Sequence, residues 1–149
     1  MASKIDARIR RANESDLTAI LAIEEKSFTS AWTEDFFRHE LYNPVSRFYV
    51  LEKEKKIIGY IVIWLLADES HIANIAVHPE FRNAGLGGKL LNFAFEIARR
   101  NGAKTITLEV NEQNVAARRL YEKFQFVLTG RRSHYYENKD DALILTRSI

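Results

Sequence analysis

Three glycines follow an arginine at short, fixed spacing in Arg82-Asn83-Ala84-Gly85-Leu86-Gly87-Gly88. The chain before this turn, Ile72-Ala73-Asn74-Ile75-Ala76-Val77, is apolar and β-favouring. His78-Pro79 ends it, because proline has no N–H to give to a ladder. After the turn, Leu86, Leu90, Phe93, Ala94 and Ile97 recur at helical spacing. A strand, a glycine turn and a helix in that order leave main-chain N–H groups free at the helix N-terminus. They point to one place, which suits an anion such as a pyrophosphate. The other reading is an ordinary strand-to-helix turn whose glycines serve the backbone alone.

Two common phosphate motifs do not fit. Counting back from Gly88-Lys89, a P-loop needs Gly where Asn83 stands and Ser or Thr where Leu90 stands. The dinucleotide fingerprint needs a third Gly three residues after Gly87, which is again Leu90. What remains is Arg-x-x-Gly-x-Gly after a strand ending in Val-x-Pro. This resembles the acetyl-CoA pyrophosphate loop of the GNAT family of N-acetyltransferases. A second block resembles the same family: Leu108-Glu109-Val110, then Asn114, then Leu120-Tyr121-Glu122-Lys123-Phe124-Gln125-Phe126. Within the family it is similar to the RimI-type branch, which acetylates the N-terminal alanine of a small-subunit ribosomal protein. The resemblance covers nearly the whole chain and is strongest from Asn74 to Phe126. It continues through Arg131-Arg132 and Tyr135-Tyr136, and Phe28 to Thr33 resembles the branch's Phe-containing Pro-Trp-Ser segment.

The chemistry this resemblance implies is attack of a neutral amine on a thioester carbonyl. An α-amino group has a pKa of about 7.7–8.0 and a lysine about 10.4, so a protein N-terminus loses its proton at far lower cost. A base within direct or one-water reach still helps. Glu109 matches the family's proton acceptor, on the strand face opposite Ile106, Leu108 and Val110. By pattern alone it is also a surface glutamate of a half-exposed strand. The leaving group is a thiolate, whose thiol has a pKa of about 8.5. Tyr121, one helix after Glu109, matches the family's proton donor; an aromatic on an inner helix face is also core, and both can hold.

Asn114 resembles the position that bonds the pantetheine or pyrophosphate region, and it is equally a plain N-cap. The backbone of Ile75, Ala76 and Val77 is expected to pair with the pantetheine arm as an added strand would. One of those N–H groups would polarise the thioester oxygen. Arg82, Asn83, Ala84, Gly85, Leu86, Gly87 and Gly88, with Asn114 and Tyr121, complete the implied acetyl-CoA site. Trp32, Tyr135 and Tyr136 would flank the acceptor. No metal is implied, since His39, His71, His78 and His134 lack ligand spacing. The chain has no Cys, so an acyl-cysteine intermediate is excluded and direct transfer in a ternary complex is expected.

Three positions depart from the branch. Ala31 stands for Pro before Trp32, and no Pro follows Tyr135-Tyr136. Gln125 stands for Gly after a helix. A left-handed residue costs more for Gln than for Gly, so that helix end is expected to be shaped differently.

These groups need a frame. Ile9 opens a short strand. Asn13 or Ser15 caps a helix with Asp16 in its first turn. Leu17, Ile20, Leu21 and Ile23 are its buried side, and Glu24, Glu25 and Lys26 its wet one. Phe28 to Trp32 connects to a second helix, Glu34 to Tyr42, capped by Thr33 and closed by Asn43-Pro44. Arg47 to Glu52 and Lys56 to Leu66 read as strands around a charged turn. Ile57 to Leu66 is too short to span a membrane, which needs about 20 residues, and reads as a central strand buried on both faces. Lys104 to Val110 alternates as a strand, and Val115 to Phe124 is a helix. Phe126 to Arg132 and Ala142 to Arg147 are strands joined by a polar loop, Ser133 to Asp141. The order is β-α-α-β-β-β-α-β-α-β-β. This is a mixed α/β fold in one domain, 1–149, with a mixed six- to seven-stranded sheet flanked by four helices. The resemblance implies that it is the GNAT fold.

Of 149 residues, 46% are hydrophobic and 28% charged, and the net charge is +2. Such a chain can bury a full core without staples. A dispersed, near-neutral charge does not argue for nucleic acid or a membrane surface as partner. The first eleven residues carry no apolar leader, so a cytoplasmic protein, a monomer or weak dimer, is expected. The acceptor expected is a protein N-terminus, most simply that of a ribosomal protein. A lysine, a polyamine or another small amine is the alternative within the enzyme class. A non-catalytic CoA-binding module is the alternative outside it.

Overall fold

The computed structural model describes residues 6–136 and 139–149. Residues 1–5, on which the expectation of no leader rests, and Glu137 and Asn138 of the tyrosine-bearing loop lie outside them. Strands β1 (Arg8–Arg11), β2 (Ser46–Lys53), β3 (Lys56–Leu66), β4 (Glu69–Val77), β5 (Thr105–Asn111), β6 (Val127–Arg132) and β7 (Ala142–Ser148) form one sheet. Its order is β1-β2-β3-β4-β5-β7-β6, and only β4 and β5 are parallel neighbours. Helices α1 (Leu17–Ser27), α2 (Glu34–Tyr42), α3 (Leu86–Arg100) and α4 (Val115–Lys123) complete it. This is the expected element order and mixed fold.

β3 explains the layering. Every residue from Ile57 to Ile63 is buried, so the strand needs apolar cover on both faces. Ile58, Ile61 and Ile63 pack with Leu90, Leu91 and Ala94 of α3. Tyr60 and Val62 pack with Leu17, Ile20 and Ile23 of α1 and Phe37 of α2.

The first helix differs from expectation in two ways. A 3₁₀ turn, Glu14–Asp16, precedes it, with Asn13 and Asp16 forming a capping box. Glu24, expected on the wet side, is only 1% exposed. It falls four residues after Ile20 and seven after Leu17, squarely on the apolar stripe.

Two irregularities shape the middle of the sheet. Ile63 pairs with Ile72 but Val62 with Asn74, so Ala73 is an extra residue in β4. A one-residue slip exchanges the faces of a strand. Ile72 therefore packs on the α3 side, whereas Ala76 packs on the α1 side and Asn74 bonds Glu24 of α1. The β4–β5 ladder then runs only from Glu69↔Thr105 to Ile72↔Leu108. Past it, β4 continues with β3, and β5 continues with β7 through Glu109, Val110 and Asn111. The sheet opens there.

The end of α4 corrects the expectation for Gln125. Its φ is 71°, the left-handed conformation that suits Gly. Its N–H bonds Glu122 O at 2.9 Å, and the Phe126 N–H bonds Tyr121 O at 3.0 Å, a complete Schellman ending. Phe126 is 4% exposed and its ring lies 5.8 Å from that of Tyr121. Burying that ring fixes the turn and outweighs the backbone cost to Gln.

Candidate active site

The glycine turn separates into conformation and closeness. Asn83 and Gly85 have φ of 62° and 79°. A Cβ at Gly85 would meet nothing within 4 Å, so its left-handed backbone alone calls for Gly. A Cβ at Gly88 would fall 2.6 Å from Phe124 Cζ, and one at Gly87 2.9 Å from Leu120 Cδ2. Those two glycines let α3 and α4 approach. Gly85 caps α3 without a side-chain bond, leaving the N–H groups of Leu86, Gly87 and Gly88 at the helix end. A groove lined by Ala84, Gly85, Leu86, Gly88, Lys89 and Phe124 lies over them. The Arg82 side chain, though exposed, lies back along the turn: Nε donates to Val77 O and a terminal nitrogen to Ser27 Oγ, each at 3.1 Å. It braces the turn against β4 and α1.

The open edge of β4 follows from its pairing. His78 N–H bonds Ile58 O at 2.8 Å. By the two-residue alternation, Ala76 also turns its main-chain groups to β3, while Ile75 and Val77 turn theirs to the opening. Arg82 occupies Val77 O. Of the three residues expected to meet a pantetheine arm, Ala76 is thus committed to the sheet. The N–H groups of Ile75 and Val77 face the cleft side.

The opposite lip is β5. Glu109 is 19% exposed at its side chain, and Arg132 Nε lies 3.1 Å from its Oε1. Tyr121 of α4 is 7% exposed. Burial, with the neighbouring Tyr136 adding to it, holds its phenol pKa well above the usual value. Asn114 caps α4, its Oδ1 accepting from the Ala117 N–H at 3.2 Å. Tyr136 is half-buried, its pKa pushed up to about 12 by burial and then by the charge of Glu109. Glu109, Tyr121, Asn114, Ile75, Trp32 and Tyr136 all line one cleft. Tyr135 does not. It is 51% exposed, edge-on to Tyr136, with the Arg132 guanidinium 5.4 Å from its ring centroid. Among the described residues no three metal-ligating side chains come together.

A cleft between splayed parallel strands, with a glycine turn at a helix N-terminus lining a separate groove, meets its match in sequence comparison. The model of the acetyltransferase (GNAT) family covers residues 17–126. The chain belongs to this family. It is similar to a Bacillus subtilis (strain 168) protein named as a candidate ribosomal protein bS18-alanine N-acetyltransferase, 40% identical over 148 residues and 98% of both chains. The ribosomal protein bS18-alanine N-acetyltransferase of Escherichia coli (strain K12) is 31% identical over 140 residues, 91% of this chain and 93% of that one. The crystal structure of the Escherichia coli ribosomal-protein-S18-alanine N-acetyltransferase superposes with a TM-score of 0.88 at 28% identity, covering 97% of this chain and 94% of that one.

Among the residues of this N-acetyltransferase's cleft that sequence reasoning missed is a carboxylate. Glu24 lines the cleft from the α1 side. Burial pushes its carboxyl above the usual range, although the Trp32 N–H, the Tyr60 hydroxyl and the Asn74 amide all work against that. Its place on the apolar stripe of α1 was the available signal.

Proposed function

We propose that this N-acetyltransferase carries the acetyl group of acetyl-CoA to the N-terminal α-amine of a protein. The acceptor we favour is the N-terminal alanine of a small-subunit ribosomal protein, which makes the cytoplasm its place of work. The observation that carries the reading is the opened sheet. The Ile75 and Val77 N–H groups lie on one lip, Glu109 on the other, and Tyr121 lines the cleft between them. The activity named for the two bacterial relatives supports the acceptor.

Acetyl-CoA supplies an acyl carbon activated as a thioester. The N–H groups at the start of α3 suit its pyrophosphate, and an N–H on the free edge of β4 suits the thioester oxygen as charge develops there. Glu109 takes a proton from the α-ammonium, directly or through one water. The N–C bond forms as the C–S bond breaks, and the second proton of the nitrogen passes to the departing thiolate, so that CoA leaves as the thiol. Until then Tyr121 donates a hydrogen bond from its O–H to the sulfur. Because burial raises its pKa, the phenol keeps its proton and steadies the thiolate by hydrogen bonding. The chain has no Cys, so the acetyl group passes directly between two bound substrates. Initial-rate lines that intersect fit this, and parallel lines overturn it.

The test is CoA release with peptides beginning in Ala, against a peptide blocked at its α-amine but carrying a free Lys. Turnover confined to the free α-amine supports the reading. Preference for Lys moves the acceptor to a side chain, and acetyl-CoA binding without turnover on any amine leaves a CoA-binding module.

A further inference from the structure

The chemistry above leaves one carboxylate of the cleft unused. Glu24 is 1% exposed, and its two oxygens are divided between three elements. Oε1 accepts from the Tyr60 hydroxyl of β3 at 2.5 Å and from the Asn74 amide of β4 at 2.8 Å. Oε2 accepts from the main-chain N–H of Trp32 at 2.9 Å. Trp32 sits in the connector between α1 and α2, and its ring stacks 4.4 Å from Phe36 and 5.1 Å from Phe37. The Ala73 bulge is what turns Asn74 toward Glu24, and the next residue, Ile75, opens the free edge of β4. One buried carboxylate therefore joins the connector, on one side of the cleft, to the strand that faces the acyl donor. A carboxylate can accept all three hydrogen bonds; an amide of the same shape offers one oxygen and must donate with the other end.

We propose that Glu24 is a positioning residue for the acceptor: it holds the Phe28–Trp32 connector in register with β4, as the wall along which the incoming chain lies. This rests on the reading of the cleft as a site for a protein N-terminus. The residue makes no contact with the reacting atoms and acts through Trp32 and Asn74.

The experiment compares Glu24→Gln with Tyr60→Phe, using an Ala-initiated peptide and acetyl-CoA. In Glu24→Gln the oxygen can stay with Tyr60 and Asn74, and the new NH₂ then meets the Trp32 N–H donor to donor. Its KM for peptide is expected to rise about tenfold, with KM for acetyl-CoA within twofold and kcat within threefold, a selective loss of uniform acceptor binding. In a Trp64→Phe background, Trp32 emission should shift to the red. Tyr60→Phe removes a bond to the same carboxylate but keeps the Trp32 tether, so Tm falls while KM for peptide stays. Equal KM increases for both substrates, or a peptide KM unchanged in Glu24→Gln, overturns the proposal. Amide exchange at Trp32 in the wild-type protein tests the tether without any variant: slow exchange without acceptor supports it, and exchange at an open-loop rate overturns it. If wild-type protein turns over no peptide, the proposed acceptor fails, and the Trp32 exchange still decides the tether.

Discussion

Arg132 Nε lies 3.1 Å from Glu109 Oε1, tying the end of β6 to the open lip of β5. The Arg132 side chain is 55% exposed, so the pair is screened and contributes about 0.2–1 kcal/mol at most. It holds one oxygen of a carboxylate that lines the cleft. Arg132→Gln should therefore cost no more than about fivefold in kcat/KM. Glu109→Gln removes the base itself and should cost about 10²–10⁴-fold in kcat. In both variants Tm should move by no more than about 3 °C. Steady-state rates beside thermal melts check this, and equal losses in the two variants would assign the chemistry to the ion pair.

Among the described residues none makes a hydrogen bond that helps set the pKa of Tyr121, which burial and then Tyr136 raise. Tyr121→Phe thus deletes a hydroxyl with little role in the resting fold. Tm is expected to hold, while kcat falls about 10²-fold, the scale of losing one donor to developing charge. A large drop in Tm with unchanged kcat would make the residue core only.

The glycines of the turn should respond differently to alanine. Gly88→Ala drives a methyl to 2.6 Å from Phe124 Cζ, so it should destabilise by about 1–2 kcal/mol, as overpacking does. Phe124→Leu should relieve much of that, giving a coupling of about 1 kcal/mol in a double-mutant cycle. Gly85→Ala meets no atom but forces φ of 79° on a residue with a Cβ, at about 1–2 kcal/mol. Phe124→Leu should leave that loss untouched. Urea unfolding of the wild type and the five variants measures all three terms.

Gln125 holds a left-handed backbone that Gly adopts freely. Gln125→Gly should raise stability by about 0.5–1 kcal/mol, the backbone relief minus the added entropy of the unfolded chain. The loss of a long contact from Arg147 to the Gln125 side chain, at 3.5 Å, is small beside it. A lowered urea midpoint would mean that this contact outweighs the strain.

What was readable in the chain follows from where one periodicity dominates. The alternation of Thr105 to Val110 and the two-sided apolar run from Ile57 set β5 and β3, and with them the sheet. Glu24 was misplaced because a charged residue near other charges reads as a wet face, whereas its spacing from Leu17 and Ile20 puts it inside. The bulge at Ala73 left no trace, since Ile72 to Val77 carries apolar residues at both parities and the single polar residue, Asn74, does not by itself fix a register. The parting of β4 from β5 depends on register between strands far apart in sequence, which local spacing does not encode. Thus the residues of the cleft were legible by type, and the opening that joins them was not.

Two buried carboxylates of the α1 region should give opposite pH responses. For Asp16, burial alone would raise the pKa, but the Arg10 guanidinium at 2.9 Å, helped by the Asn13 N–H, carries it below the usual value. The unfolded chain then binds more protons than the folded one. Its stabilisation is complete above the ordinary aspartate value and lost as pH falls through the lowered one. For Glu24, burial wins and the pKa is raised. The folded chain binds more protons, so the stability tied to its protonated form is present below the ordinary glutamate value and lost as pH rises through the raised one. Asp16→Asn should therefore flatten the rise of stability with pH on the acid side, and Glu24→Gln should steepen it. Urea midpoints read between about pH 3 and pH 7 give both slopes. Two variants bending the profile the same way would mean that one of these carboxylates titrates against the direction its surroundings impose.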